Sequence, residues 1–407
     1  MKIAIYHNLS SGGAKRSLYE IVKRLHERHE IIVFSLSSAD HDFCDIRPFV
    51  KTHETYHFQP GRLFRSPFGR FNSIVRVFDL FRLRRVNKII AKEIVQQKPD
   101  LVFVEPCRYE NAPSLLRFLD GIPNVYYCHE PFRVHYEQPP PRPYYKVNST
   151  LRKTIDQIDF ILYLYKELAK RNDLLNIRSA GVVFVNSGYT KNLVKSIYHL
   201  DAEINYLGVD IEKFKPLPRI TKANMILSVG SLTPLKGFDF VIRSISLIPP
   251  DRRPTLTISS NFSNPEEYKY LSNVASNLGV SVEFLSGIPD EKLVELYNQA
   301  TLTAYAPHRE PFGLVALESM ACATPVVGVK EGGLLETIQE GVNGRLVERN
   351  EQIFSSALFE LLSNPQKSRE FGEKGYQTVL EKWGWETAVS NLESNFIQSI
   401  EKNYRPQ

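Results

Sequence analysis

Cysteine is scarce in this chain: Cys44, Cys107, Cys128 and Cys322 are the only four among 407 residues, and no two stand at C-x-x-C spacing. That argues against a disulfide framework and gives no zinc pattern, so a reducing, cytoplasmic setting is the default expectation. Long apolar runs are missing too. Nothing approaches the roughly 18 continuous apolar residues of a membrane span. The opening Met1-Lys2-Ile3-Ala4-Ile5-Tyr6 enters a strand-like run without the longer apolar stretch of a signal peptide. No cluster of His and Cys has metal-ligand spacing, so a divalent metal is not implied and no tightly bound cofactor is expected. The Gly12-Gly13 pair is not a dinucleotide fingerprint, because Ser17 stands where the third glycine would be. Short repeats and low-complexity tracts are absent as well.

What is present is an ordinary globular composition, 43% hydrophobic and 24% charged, long enough for two or three domains. Short apolar runs alternate with longer helical patterns. Strand candidates are Ile3–Tyr6, Ile31–Ser35, Leu101–Val104, Val125–Cys128 and Val182–Asn186, then Met225–Val229, Leu256–Ser259, Val282–Leu285, Leu302–Tyr305 and Val326–Val329. This order predicts an α/β protein of two doubly wound, Rossmann-like domains built from right-handed crossover units. Pro216-Leu217-Pro218 marks a junction, Glu386–Asn403 reads as a final helix, and the prolines of His135–Tyr145 predict an extended loop.

Charge divides the chain unevenly. Residues 1 to 200 hold 31 Lys+Arg against 19 Asp+Glu, while the remainder holds 20 against 26. The first half is thus +12 and the second −6, which points to different partners. Arg62, Arg65, Arg70, Arg82, Arg84 and Arg85 interleave with Phe64, Phe68, Phe71, Phe78 and Phe81, a mixture suited to an anionic membrane or acceptor surface. The competing reading is a core helix, with Phe71, Ile74, Val75, Phe78 and Phe81 packed on a sheet and the arginines solvated. No nucleic-acid reading module accompanies the charge.

The richest stretch is Glu310-Pro311-Phe312-Gly313-Leu314-Val315-Ala316-Leu317-Glu318, two carboxylates eight residues apart around a helix start. Gly313 lets the backbone approach a ligand, and the first-turn N–H groups can meet an anion. A carboxylate accepts two hydroxyl hydrogen bonds at once, so Glu310 and Glu318 suit an extended ligand with hydroxyls at both ends and a phosphate between.

The stretch resembles the E-x7-E signature of retaining glycosyltransferases of family 4. Ala321-Cys322-Ala323-Thr324-Pro325-Val326-Val327-Gly328, Glu331-Gly332-Gly333, Gly341-Val342-Asn343-Gly344, Val229-Gly230-Ser231 with Lys236-Gly237, Leu207-Gly208-Val209-Asp210 and Ser11-Gly12-Gly13-Ala14 are similar to further family motifs in the same order. The resemblance implies a GT-B fold, with 1–204 binding the acceptor, 205–385 binding the donor, and 386–407 crossing back onto the first domain. It also implies transfer from a UDP- or GDP-sugar to a glycan or lipid-linked acceptor. Within it Glu310 would serve the transferred sugar, Glu318 the ribose and Lys236 the diphosphate. Phe312, Gly313 and Leu314 would give backbone contacts, while Gly12 and Gly13 would face phosphate or acceptor. His129 matches the family's histidine beside the transferred sugar. Ser231 replaces a clamp arginine, for which Arg309 is the candidate substitute, and Ala323 stands where the family has glycine. A sugar-nucleotide epimerase or hydrolase, or a non-catalytic nucleotide-sugar-binding protein at the membrane, is the alternative.

Overall fold

The computed structural model describes residues 1–64, 71–145, 160–261 and 264–403. Seven strands form the first sheet: β1 (Lys2–Asn8), β2 (Glu30–Leu36), β3 (Thr52–Tyr56), β4 (Leu101–Cys107), β5 (Asn124–Cys128), β6 (Val182–Val185) and β7 (Glu203–Ile204), in the order 3-2-1-4-5-6-7. Six form the second: β8 (Ala223–Val229), β9 (Thr255–Ser260), β10 (Val282–Ser286), β11 (Ala300–Tyr305), β12 (Val326–Val329) and β13 (Gly344–Val347), in the order 10-9-8-11-12-13. Every strand pairing within them is parallel. The central strands are buried on both faces, which is why they read as continuous apolar runs. Strands β3, β7 and β13 were not legible as such, and each lies at a sheet edge. Strand β3, Thr-His-Glu-Thr-Tyr, is largely exposed and carries no apolar signal.

Apolar side chains on one face of the first sheet (Ile3, Ile5, Val33, Phe103) join a core that continues into the second domain. Helix Trp385–Asn403 closes that face: Phe396 lies 5.2 Å from the ring of Phe103 and stacks on Phe184 at 6.2 Å, and Glu393 meets Arg28 and His29 at 2.8 Å each. The opposite face (Tyr6, Phe34, Val104) packs under helix Asn72–Gln96.

That helix departs from the stripe expected of it. Its buried residues are Ser73, Asp79, Leu80, Leu83, Asn87, Ile90, Ala91 and Ile94, whereas Phe71, Phe78 and Phe81 are 47%, 64% and 53% exposed. Asn87 is drawn in because the Tyr6 hydroxyl donates to its amide oxygen at 2.9 Å while its amide donates to Ser114. The buried row therefore lies about the helix axis from the phenylalanines, and a polar residue holds its middle.

The chain passes between domains twice, and the two crossings lie together. The Val209 N–H donates to the Trp383 carbonyl at 2.8 Å, and Tyr206 and Phe312 both pack edge-on or tilted against Trp383. A third link is made by side chains. Arg142, in the proline-rich segment, donates to Asp239 at 2.9 Å and to both oxygens of Glu267 at 3.0 Å; its side chain is 3% exposed and that of Glu267 fully buried. The Tyr144 hydroxyl donates to the same Glu267. Among the described residues no helix is long and apolar enough to cross a membrane.

Candidate functional site

In each sheet the strand order reverses beside its first strand, between β1 and β4 and between β8 and β11, and such switch points open crevices at the carboxyl ends of strands. Strand β8 is followed by Gly230 and the turn Pro234–Lys236, and β11 by the loop Ala306–Gly313. These two loops are fastened together. The His308 N–H donates to the Leu235 carbonyl at 2.7 Å, and Arg349 donates to the carbonyls of Ala306 and Pro307 and to Glu331. The Gly333 N–H donates to the Glu310 carbonyl at 2.8 Å. Glycine is required beside it: a Cβ on Gly332, whose φ is +61°, would lie 2.3 Å from the Glu310 carbonyl oxygen. The loop therefore holds Glu310 on a rigid backbone.

Lys236 and Glu310 meet there, Nζ to Oε2 at 2.8 Å, with side chains 22% and 18% exposed. Burial pushes the Glu310 carboxyl up, but Lys236, with help from Arg133 and the Tyr305 hydroxyl, holds it below its ordinary value. Gly313 adopts φ +102° and opens helix Leu314–Ala321, with no side chain capping that end. Across the cleft, Gly13 faces it: a methyl there would sit 3.7 Å from Leu314 Cδ1. Glu318 is 7% exposed and accepts the Tyr297 hydroxyl at 2.9 Å; burial raises its pKa, against the pull of Arg16. Phe312 is buried against Trp383 and Tyr206, so its side chain anchors the loop.

On the first domain, His129 follows β5 and shares a 2.9 Å hydrogen bond with the fully buried Glu105, its ring 4.6 Å from that of Tyr127. Next to it Glu130 has its pKa raised by burial, with Arg133, Glu310 and Lys236 all within electrostatic reach. Arg133 donates to the carbonyls of His308 and Arg309 at 2.8 and 2.6 Å, joining the two walls. Arg309, the candidate substitute for the clamp residue, has a side chain that is 64% exposed and lies 3.7 Å from Glu137. Arg62 is exposed, and Arg65 and Arg70 lie outside the described residues. Among the described residues no group of three His, Cys, Asp or Glu could hold a metal ion.

Besides Arg133, a basic residue at the cleft that sequence reasoning passed over is Arg16, within the first turn after Gly12-Gly13. It makes two 2.8 Å hydrogen bonds to Asp290 of the second domain, which Lys213 also meets at 2.9 Å. Burial pushes Asp290 up, but Arg16 and Lys213 outweigh it and bring its pKa to about 2. A carboxylate depressed in the folded state contributes stability present above its unfolded value of about 3.9 and lost as pH falls toward about 2. Allowing for partial exposure, Asp290→Asn should lower stability by about 1–2 kcal/mol at pH 7, a gap that closes on acidification through that window. Urea midpoints measured from pH 7 to 2.5 check this; a gap independent of pH would mean the loss is one of packing.

Two all-parallel Rossmann-like domains with loops from both lining the crevice between them define the GT-B class. The chain belongs to the glycosyltransferases of that class: residues 11–213 match the Glycosyltransferase Family 4 model and residues 209–378 the model of Glycosyl transferases group 1. It is 29% identical to a D-inositol 3-phosphate glycosyltransferase of Thermobispora bispora over 49% of this chain and 50% of that one. The chain thus spans about half the length of the curated relatives of that kind. Similarity to the alpha-1,3/1,6-mannosyltransferase ALG2 of Rhizomucor pusillus is lower, 22%, but covers 98% and 92% of the two chains. Among solved structures, sucrose-phosphate synthase of Thermosynechococcus elongatus superposes with TM-score 0.72 at 20% identity over 98% of each chain. Anabaena HepE in complex with UDP and glucose gives 0.69 at 19% over 97% and 99%.

Proposed function

We propose that this protein transfers a sugar from a UDP- or GDP-sugar to a glycan or lipid-linked acceptor held against the first domain, with retention at the anomeric carbon. The observation that carries the reading is the Lys236–Glu310 pair, fixed at the switch-point crevice beside an uncapped helix end and facing the Gly12-Gly13 turn. As the donor bond breaks, negative charge grows on the diphosphate, and Lys236 is the cation placed to meet it. Glu310, ionised and released from Lys236 by the ligand, accepts hydroxyls of the transferred sugar. The free oxygen of Glu318 accepts the ribose hydroxyls, and the backbone from Phe312 to Leu314 approaches the phosphates. His129, oriented by Glu105, hydrogen-bonds the sugar or the incoming acceptor. Retention follows if the leaving phosphate itself takes the acceptor proton on the face it departs from, which requires no protein nucleophile.

The UDP in the HepE structure and the mannosyltransferase relative both favour a nucleotide-sugar donor. A thermal-shift panel of UDP-, GDP- and ADP-sugars tests the reading. One member at about 100 times its dissociation constant should add roughly 2.7 kcal/mol of stability, and Glu318→Ala should abolish most of that gain. The product anomer, followed by NMR with EDTA present, should match the donor. Donor turnover undiminished by removing every acceptor would instead make the protein a hydrolase or epimerase.

A further inference from the structure

Arg309, the residue before Glu310, holds φ at +49°, in the left-handed region that a residue other than glycine leaves unless its surroundings keep it there. The donors that fix this stretch of backbone come largely from the other domain. Arg133 Nη2 donates to the His308 and Arg309 carbonyls at 2.8 and 2.6 Å, and the Ser187 hydroxyl donates to the Pro311 carbonyl at 2.5 Å. The Glu310 carbonyl takes the Gly333 N–H. All four carbonyls from His308 to Pro311 are therefore engaged, three of them by side chains of the first domain.

Neither donor is spent where its chemistry would ordinarily send it. An arginine beside carboxylates tends to pair with them through both arms, and Arg133 has Glu130 and Glu137 at 3.5 and 3.3 Å from Nε. Its two shortest bonds still go to neutral carbonyls of the loop. Ser187 is fully buried and already has a local duty, since its oxygen caps helix Gly188–Tyr198 by accepting the Thr190 N–H at 3.0 Å. Capping leaves the hydroxyl proton to give. The Pro311 carbonyl lies nearer to it than Thr190 Oγ1 or Asn186 Oδ1, which stand at 3.0 and 3.3 Å.

Asn186 carries the tie on to the other wall of the site: its amide donates to the His129 carbonyl at 3.0 Å, and its Oδ1 accepts the Thr190 hydroxyl at 2.8 Å. One short run after β6 thus grips the backbone at His129 and beside Glu310 together.

We propose that Arg133 and Ser187 are positioning residues, which hold the loop His308–Pro311 in its strained form and so set the register of Glu310 against His129. The role rests on the functional reading of those two side chains and deepens it. It acts through the loop on the reacting sugar, and the diphosphate, assigned to Lys236, lies outside it.

Steady-state kinetics of Arg133→Met and Ser187→Ala, each alone and with Glu310→Gln, together with calorimetry of nucleoside diphosphate binding, is the test. Each single variant should lower kcat by about 10–100-fold, since a displacement of about 1 Å can carry such a cost, while donor KM and nucleoside diphosphate affinity stay within about twofold. Unchanged affinity also shows that the variant folds. In the Glu310→Gln background the added loss should shrink to about twofold or less, because the carboxylate being positioned is gone. Ser187→Thr, which keeps a hydroxyl, should recover most of the activity. Wild-type kcat in both single variants, the same fold-loss with and without Glu310, or a parallel fall in nucleoside diphosphate affinity, as plain adhesion between domains would give, would overturn the assignment. Failure of the unaltered protein to bind any nucleotide-sugar would sink the functional reading instead, so the two failures are distinct.

Discussion

Lys236→Ala should lower turnover by about 10²–10³-fold, the range found when one preorganised donor to a developing charge is removed. Two effects add. The leaving diphosphate loses its cation, and Glu310, left with only the Tyr305 hydroxyl and Arg133, is driven upward in pKa because its desolvation is no longer opposed by the neighbouring ammonium. Glu310→Gln, which keeps the shape and removes the charge, should cost at least about tenfold, or roughly 1.4 kcal/mol of barrier. Because the two side chains touch at 2.8 Å, the double variant should fall well short of the product of the single losses. Calorimetry supplies a second readout: Lys236→Ala should weaken nucleoside diphosphate much more than bare nucleoside, since only the former carries the charge to be met. Equal losses for both ligands, or strictly multiplicative kinetics, would remove Lys236 from the role assigned to it.

Arg142→Ala should destabilise the protein by about 3–5 kcal/mol, because Glu267 is fully buried and would be left with a charge that only the Tyr144 hydroxyl contacts. Asp239, at 18% exposure, can recover water and contributes less. Replacing both buried partners, as in Arg142→Met/Glu267→Leu, should restore much of the loss, since apolar side chains of similar volume need no compensating charge. Urea unfolding followed separately by fluorescence and far-UV circular dichroism is the measurement to make, because a two-domain protein need not unfold in one step. A loss below about 1 kcal/mol for Arg142→Ala would mean that water enters the site and screens Glu267.

Much of the architecture was legible before any coordinates. Ten apolar runs became the nine inner strands and one edge strand, β10; burial on both faces of the central strands leaves a signal that does not depend on neighbours. The other three edge strands were missed because β3 is largely exposed and β7 and β13 are only two and four residues long. Of the two readings left open for helix Asn72–Gln96, the one that packs Phe71, Phe78 and Phe81 on a sheet does not hold, because helical spacing says which residues share a side, not which side meets the sheet. Asn87, polar and buried, was decided by Tyr6 and Ser114, residues 81 and 27 positions away. The same limit governs the site. Glu310, Gly313 and Glu318 form one local stretch and could be read together. Arg16 with Asp290, Arg142 with Glu267, and Arg133 with the His308 carbonyl are joined only by the packing of one domain on the other, 274, 125 and 175 residues apart. Arg309 shows the converse: adjacent in sequence to Glu310, with φ +49°, it has its side chain 3.7 Å from Glu137 of the first domain.

The side-by-side crossings at Val209 and Trp383 have a mechanical implication. A single strand joining two bodies lets them swivel in any direction, but two strands tied by a backbone hydrogen bond would confine any opening to bending about that line, once the cross-domain contacts of Arg16, Arg133 and Arg142 let go. Opening and shutting would then retrace one arc. Whatever is carried on Gly12-Gly13 would return to the same register opposite Leu314 after every cycle, so alignment of the reacting groups would be built into the joint rather than rediscovered at each encounter.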